Sequence, residues 1–110
     1  MEKKPVSTEQ IARYCVLVQA KLNAWFDQNV PLAKAENRPT IVAEPGQRYC
    51  RIVKRRTPTE ASCHSFIDMT NGDVLKSASW KAPAKHARGS VHDADGGASA
   101  CDGFGANSLR

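Results

Sequence analysis

No stretch of about 18 consecutive apolar residues occurs in this chain of 110 residues, which excludes an apolar helix long enough to span a bilayer. The opening residues, Met1-Glu2-Lys3-Lys4-Pro5, lead into polar Ser7-Thr8-Glu9 instead of an apolar signal core, so the expectation is a cytoplasmic protein with no membrane partner. Cysteine is sparse. Cys15, Cys50, Cys63 and Cys101 stand far apart with no C-x-x-C pair, which argues against a zinc ribbon or a dense disulfide framework and predicts free thiols. No Gly-Lys-Ser/Thr phosphate loop exists, and Gly103-Phe104-Gly105 lacks the preceding strand and following helix of a dinucleotide fingerprint. No cofactor is implied. Internal repeats are also missing, and aromatics make up only 6% of the chain.

What remains has ordinary globular composition, 41% apolar and 25% charged. A chain this short builds one hydrophobic core, so a single α+β domain is expected over residues 1–92, followed by a Gly/Ala/Asp-rich tail over 93–110. The net charge of +5 is unevenly placed. Residues 1–46 hold six Lys/Arg against five Asp/Glu, residues 47–88 nine against three, and residues 89–110 one against three. The middle segment therefore carries the positive potential, which attracts polyanions or acidic protein surfaces without choosing between them.

Periodicity supplies the elements. Ser7 and Gln10 form a capping-box pattern, and Ile11, Tyr14, Cys15, Val18, Leu22, Trp25 and Phe26 recur at three- and four-residue steps behind it. This predicts an amphipathic N-terminal helix over about 8–28, packed on a small antiparallel sheet of three to four strands, with Trp25 and Phe26 in the core. Pro39–Ala43 is a short extended segment at a strand start or edge. Pro45-Gly46 turns into a second strand, Arg48–Arg56. Cys63–Met69 and Val74–Ser77 flank Asn71-Gly72, a strong hairpin signal, although a two-residue and a three-residue loop give different registers. Pro83 near a start and Gly89 after an end suggest a short helical turn, beyond which the tail is irregular with Phe104 and Leu109 as anchors.

Several runs also carry a likeness: Tyr49-Cys50-Arg51-Ile52-Val53, Phe66-Ile67-Asp68, Gly72-Asp73-Val74-Leu75-Lys76, Ala78-Ser79-Trp80-Lys81-Ala82-Pro83-Ala84-Lys85 and Arg88-Gly89. Together they resemble small uncharacterised proteins encoded by tailed bacteriophages, over about residues 49–89. The resemblance implies expression in the cytoplasm of a bacterial host. It brings no activity with it.

The candidate binding set lies in the same stretch: Arg48, Arg51, Lys54, Arg55 and Arg56 on one strand, Lys76 on the hairpin, and Trp80, Lys81, Lys85 and Arg88 after it. Neighbouring strands lie about 4.8 Å apart, close enough for such cations to merge into one phosphate-binding face. Tyr49, Phe66 and Trp80 are interleaved with them, and rings beside cations are what single-stranded nucleic acid uses for stacking and charge neutralisation. The same residues also fit a plainer arrangement in which the rings are core, the cations a solvated face, and Lys85, His86 and Arg88 complements to a helix C-terminus.

Catalytic and metal constellations are weaker. His64 beside Ser65 or near Asp68 is a coincidence that any hairpin can show. Cys63, His64, His86, His92 and Cys101 are of ligand type, but adjacent Cys63 and His64 point to opposite faces of a strand. The expectation is a non-enzymatic accessory protein that binds DNA or RNA through the basic hairpin region. The alternatives are an effector that binds and inhibits a host protein of defence or transcription, reached through an acidic surface, and a minor virion component. Edge 39–44 offers a route to a homo-oligomer.

Overall fold

The computed structural model describes residues 5–32, 38–56, 59–101 and 105. The capping box forms as the sequence predicts: the Gln10 amide donates to Ser7 Oγ at 3.1 Å and the Ser7 amide donates to Gln10 Oε1 at 2.9 Å. Two of the donors that every helix start leaves without an intrahelical acceptor are thereby satisfied, and α1 runs from Thr8 to Asn29. Ile11, Tyr14, Val18 and Leu22 form its buried stripe. Phe26 packs at the margin of the core, but Trp25 is exposed, contrary to expectation. One residue separates the two rings, and a turn of about 100° per residue carries Trp25 off the buried face.

Five strands follow: β1 (Thr40–Pro45), β2 (Tyr49–Arg55), β3 (Ala61–Asp68), β4 (Asp73–Ser77) and β5 (Pro83–Ser90). They pair antiparallel in chain order, each with the next. Alternation along each strand divides the sheet in two. Ile41, Cys50, Ile52, Ile67 and Val74 face α1 and form its core with Val91 and Cys101. The opposite side, here the outer face, presents the register row Glu44, Arg51, Phe66 and Leu75. Directly paired side chains in an antiparallel sheet share a face, so this row is continuous across four strands.

The fifth strand replaces the predicted short helical turn at 83–88. Local signals there favour a helix start and stop, yet β4 offers an open row of backbone donors and acceptors, and Pro83, Ala87, Gly89 and Ser90 fall into register with it. Pro83 sits at the strand start, where its missing N–H costs nothing. Register shifts at Val74/Leu75 and Leu75/Ser77 leave Arg88 and part of 84–86 as bulges, a common treatment of an edge strand. With no helix, the dipole role considered for Lys85, His86 and Arg88 falls away.

The β3–β4 connection is a four-residue turn, Met69–Gly72, longer than either loop expected. The Gly72 amide donates to the Asp68 carbonyl at 2.7 Å, and Gly72 has φ of 87°. A side chain there would be strained by the backbone and would also meet the His92 ring at 2.6 Å.

On the helix side, the strand bulge at Ile52/Val53 leaves His64 as an extra residue of β3. His64 and Ser65 consequently share the interior. Ser65 Oγ lies 2.8 Å from both Tyr14 Oη and His64 Nδ1, Tyr14 Oη donates to Cys101 Sγ at 3.6 Å, and all four residues are buried. Burial pushes the Tyr14 phenol well above its ordinary pKa, so it stays neutral. The beginning of the tail belongs to the fold: Lys21 Nζ donates to the carbonyls of Ala98 and Cys101, the latter at 2.8 Å. Phe104 and Leu109 lie outside the described residues.

The edge of β1 is occupied from the helix. Gln19 Oε1 accepts the Ile41 amide at 2.7 Å and Gln19 Nε2 donates to the Pro39 carbonyl at 3.1 Å. The edge considered for pairing with a second copy is thus partly engaged within the chain. All four cysteines are free thiols, and among the described residues no helix is long and apolar enough to cross a membrane.

Candidate nucleic-acid interface

The basic residues do not merge into one face. Lys54 pairs with core-facing Ile41, and Lys76 pairs with Ser65, so both stems lie on the helix side of the sheet. Arg56 turns back at the end of β2, where its Nε donates to Glu60 Oε2 at 2.8 Å. That end carries its own depression of about 330 Å³, lined by Pro39, Lys54, Arg56, Glu60, Ala61 and Ser62. Arg88 is a bulge residue of the far edge strand.

Arg51 and Arg55 do reach the outer face, but an internal anion engages them. Arg51 Nη1 donates to Glu44 Oε1 at 3.0 Å and Arg55 Nη2 to Glu44 Oε2 at 3.4 Å. Arg51 also donates from Nε to the Trp80 carbonyl at 2.8 Å, with its guanidinium 4.6 Å from the centre of the Trp80 ring. Trp80 belongs to the β4–β5 loop, whereas Arg51 is two strands away on β2. The loop therefore folds back past β3 on the outer face, whose apolar residues Val53, Phe66 and Leu75 are buried. In this geometry Arg51 is chiefly a tether for the loop.

Besides Arg56 at the far end of β2, three cations of the set are presented to solvent. Arg48, in the turn before β2, has a side chain 65% exposed, with its guanidinium 5.1 Å from the centre of the Tyr49 ring and Nη2 3.6 Å from Asp68 Oδ2. Lys81 and Lys85 have no side-chain partner among the described residues. Two shallow depressions place these groups about one ring. The first, about 310 Å³, is lined by Glu44, Arg48, Tyr49, Arg51, Phe66 and Lys81 with the 45–47 turn. The second, about 370 Å³, is lined by Arg48, Tyr49, Asp68, Asn71, Asp73 and Leu75, and by Pro83, Ala84 and Lys85. Arg48 and Tyr49 are common to both. Phe66 supports Tyr49 from the side, edge to face at 6.2 Å.

Asp68 is held ionised. Burial alone would raise its pKa, but hydrogen bonds from the Thr70 hydroxyl (2.6 Å) and amide (2.9 Å) to Oδ1, with Arg48 opposite, bring it below the ordinary value. Tyr49, Asn71 and Asp73 were not among the residues singled out from the sequence. Tyr49 was visible there as an interleaved ring, whereas Asn71 and Asp73 read only as turn residues.

Among the described residues, no three His, Cys, Asp or Glu side chains gather as a metal cluster would. Cys63 pairs with Val53 on the outer side while His64 lies inside, and His92 Nδ1 sits 2.8 Å from Gln10 Nε2.

Over residues 1–107 the sequence matches a family of unknown function, DUF7717, and the chain belongs to that family. No curated protein and no solved structure matches it.

Proposed function

We propose that this member of the family is a binding module for single-stranded nucleic acid. In this reading the strand crosses the outer face of the sheet, with Tyr49 as stacking platform and Arg48, Lys81 and Lys85 as phosphate contacts. The observation that carries it is the pair of depressions sharing Arg48 and Tyr49, each with one lysine whose ammonium has no described partner. Bases stack on aromatic rings and on guanidinium planes, and ammonium groups neutralise the adjoining phosphates. The half-exposed Trp80 ring, next in the chain to Lys81 of the first depression, adds a second aromatic surface. The site is shallow and flanked by acids, Glu44 on one side and Asp68 and Asp73 on the other. A rigid duplex rail of phosphates would have to pass those carboxylates, whereas a single strand can place its phosphates on the lysines and its bases between them.

The phage-like runs fit an accessory role of this kind in a bacterial cytoplasm. Fluorescence anisotropy with labelled single-stranded oligonucleotides at about 50 mM salt tests the reading. Affinity should fall steeply as salt rises, and the double variant Lys81→Ala/Lys85→Ala should lower both the affinity and the magnitude of the salt slope, the latter by roughly 1.4. Absence of binding, or binding indifferent to both lysines, counts against it. Recovery of a stoichiometric acidic protein from nuclease-treated host lysate, with no oligonucleotide binding, would move the same cations to a protein partner.

A further inference from the structure

The second depression carries more than charge, and we propose that it reads a guanine base. This inference rests on the nucleic-acid reading above and assigns to its Lys85 side a specificity. Leu75, Pro83 and the Tyr49 ring supply apolar surface, while Asn71 and Asp73 supply a polar edge. The Asn71 side chain is oriented: its Oδ1 accepts the Asp73 amide at 2.9 Å, so its NH2 group is the end left to face a ligand. Neither that NH2 nor the Asp73 carboxylate has a partner among the described residues. Neighbouring Asp68 is different, because Thr70 occupies its Oδ1 and Arg48 faces its Oδ2. The pocket wall thus offers one donor group and one carboxylate with both oxygens open.

Among the four bases, that pattern complements the Watson–Crick edge of guanine. Its N1–H and N2–H donors can share one carboxylate in bidentate fashion, and its O6 accepts from an amide NH2. Adenine and cytosine each place a ring-nitrogen acceptor beside their amino group, which would set a lone pair against a carboxylate oxygen. Uracil has a single donor between two acceptors. Guanine matches the Asn71 NH2 and both oxygens of Asp73 together, whereas each other base leaves at least one Asp73 oxygen desolvated with no donor facing it.

Anisotropy with a labelled decauridine, and with the same decamer carrying one central guanosine, adenosine or cytidine, tests this at about 50 mM salt. The guanosine decamer should bind about tenfold or more tightly than the other three. Asp73→Asn should bring all four within about twofold of one another while decauridine binds as well as before or better, since a negative charge has been removed. Glu9→Gln removes the same charge from the first turn of α1, on the other side of the sheet, and should leave the guanosine preference intact. Circular dichroism confirms that both variants are folded. Equal binding of the four decamers by the unaltered protein, or a preference that survives Asp73→Asn, overturns this inference alone. Failure to bind any decamer overturns both this inference and the reading on which it rests.

Discussion

Ser65 holds two interior polar groups at once, and its replacement isolates the cost of that arrangement. Ser65→Ala removes the partner of Tyr14 Oη and of His64 Nδ1 in a buried setting, and should destabilise by about 1–3 kcal/mol in urea unfolding. Exposed Ser62→Ala, on the same strand, should be near neutral. Asp68 sets a pH dependence whose sign follows from its lowered pKa. Its contribution is complete above the ordinary carboxylate value of 3.8 and is lost as pH falls through the lower folded value. Acid unfolding profiles should therefore steepen below about pH 4, and Asp68→Asn should flatten that limb. Neither residue declared its role in the sequence, because the His64–Ser65 pair shares a face only through a bulge and Asp68 is fixed by a turn longer than expected. The division of the cations was hidden for the same kind of reason: it depends on which residues pair across strands, and a count of charge along the chain contains no register.

Elements whose signals are local were legible. α1, the first hairpin turn and the strands on either side of it can be read from spacing, capping and turn chemistry. Ser7→Ala should cost about 1 kcal/mol, visible as a lower urea midpoint with an unchanged slope. β5 was misread because an edge strand takes its structure from its neighbour, and Pro-Ala-Lys-His-Ala carries little strand preference of its own. The β4–β5 loop depends likewise on a distant partner. Arg51→Ala removes the hydrogen bond to the Trp80 carbonyl and the stacked cation, so amides at 78–82 should exchange faster with solvent while those of α1 are unchanged. If exchange in the loop is unaltered, Arg51 is not its tether and is available as a phosphate ligand after all.

For the molecule as a whole, the uneven charge was evident from the sequence, but the candidate site emerged only when folding set Arg48, Lys81 and Lys85 around one ring and placed the others elsewhere. Its chemistry is that of a surface, since the thiols that could react are mostly inside. Burial pushes Cys50 up to about 11, and Cys101 is equally enclosed. At pH 8 a thiol-specific disulfide reagent should therefore titrate at most Cys15 and Cys63 promptly, reaching all four only in denaturant. The interior that encloses them has a further consequence in time. Tyr14 and Lys21, near one end of the chain, are completed by Cys101 near the other. At synthesis rates of about 5–20 residues per second, the stripe from Ile11 to Leu22 waits roughly 4–16 s between leaving the ribosome and meeting its last partner. Throughout that interval the sheet can already cover most of the stripe, but Tyr14 and Lys21 lack the partners that Cys101 brings, so a chain halted before Cys101 holds an incomplete interior.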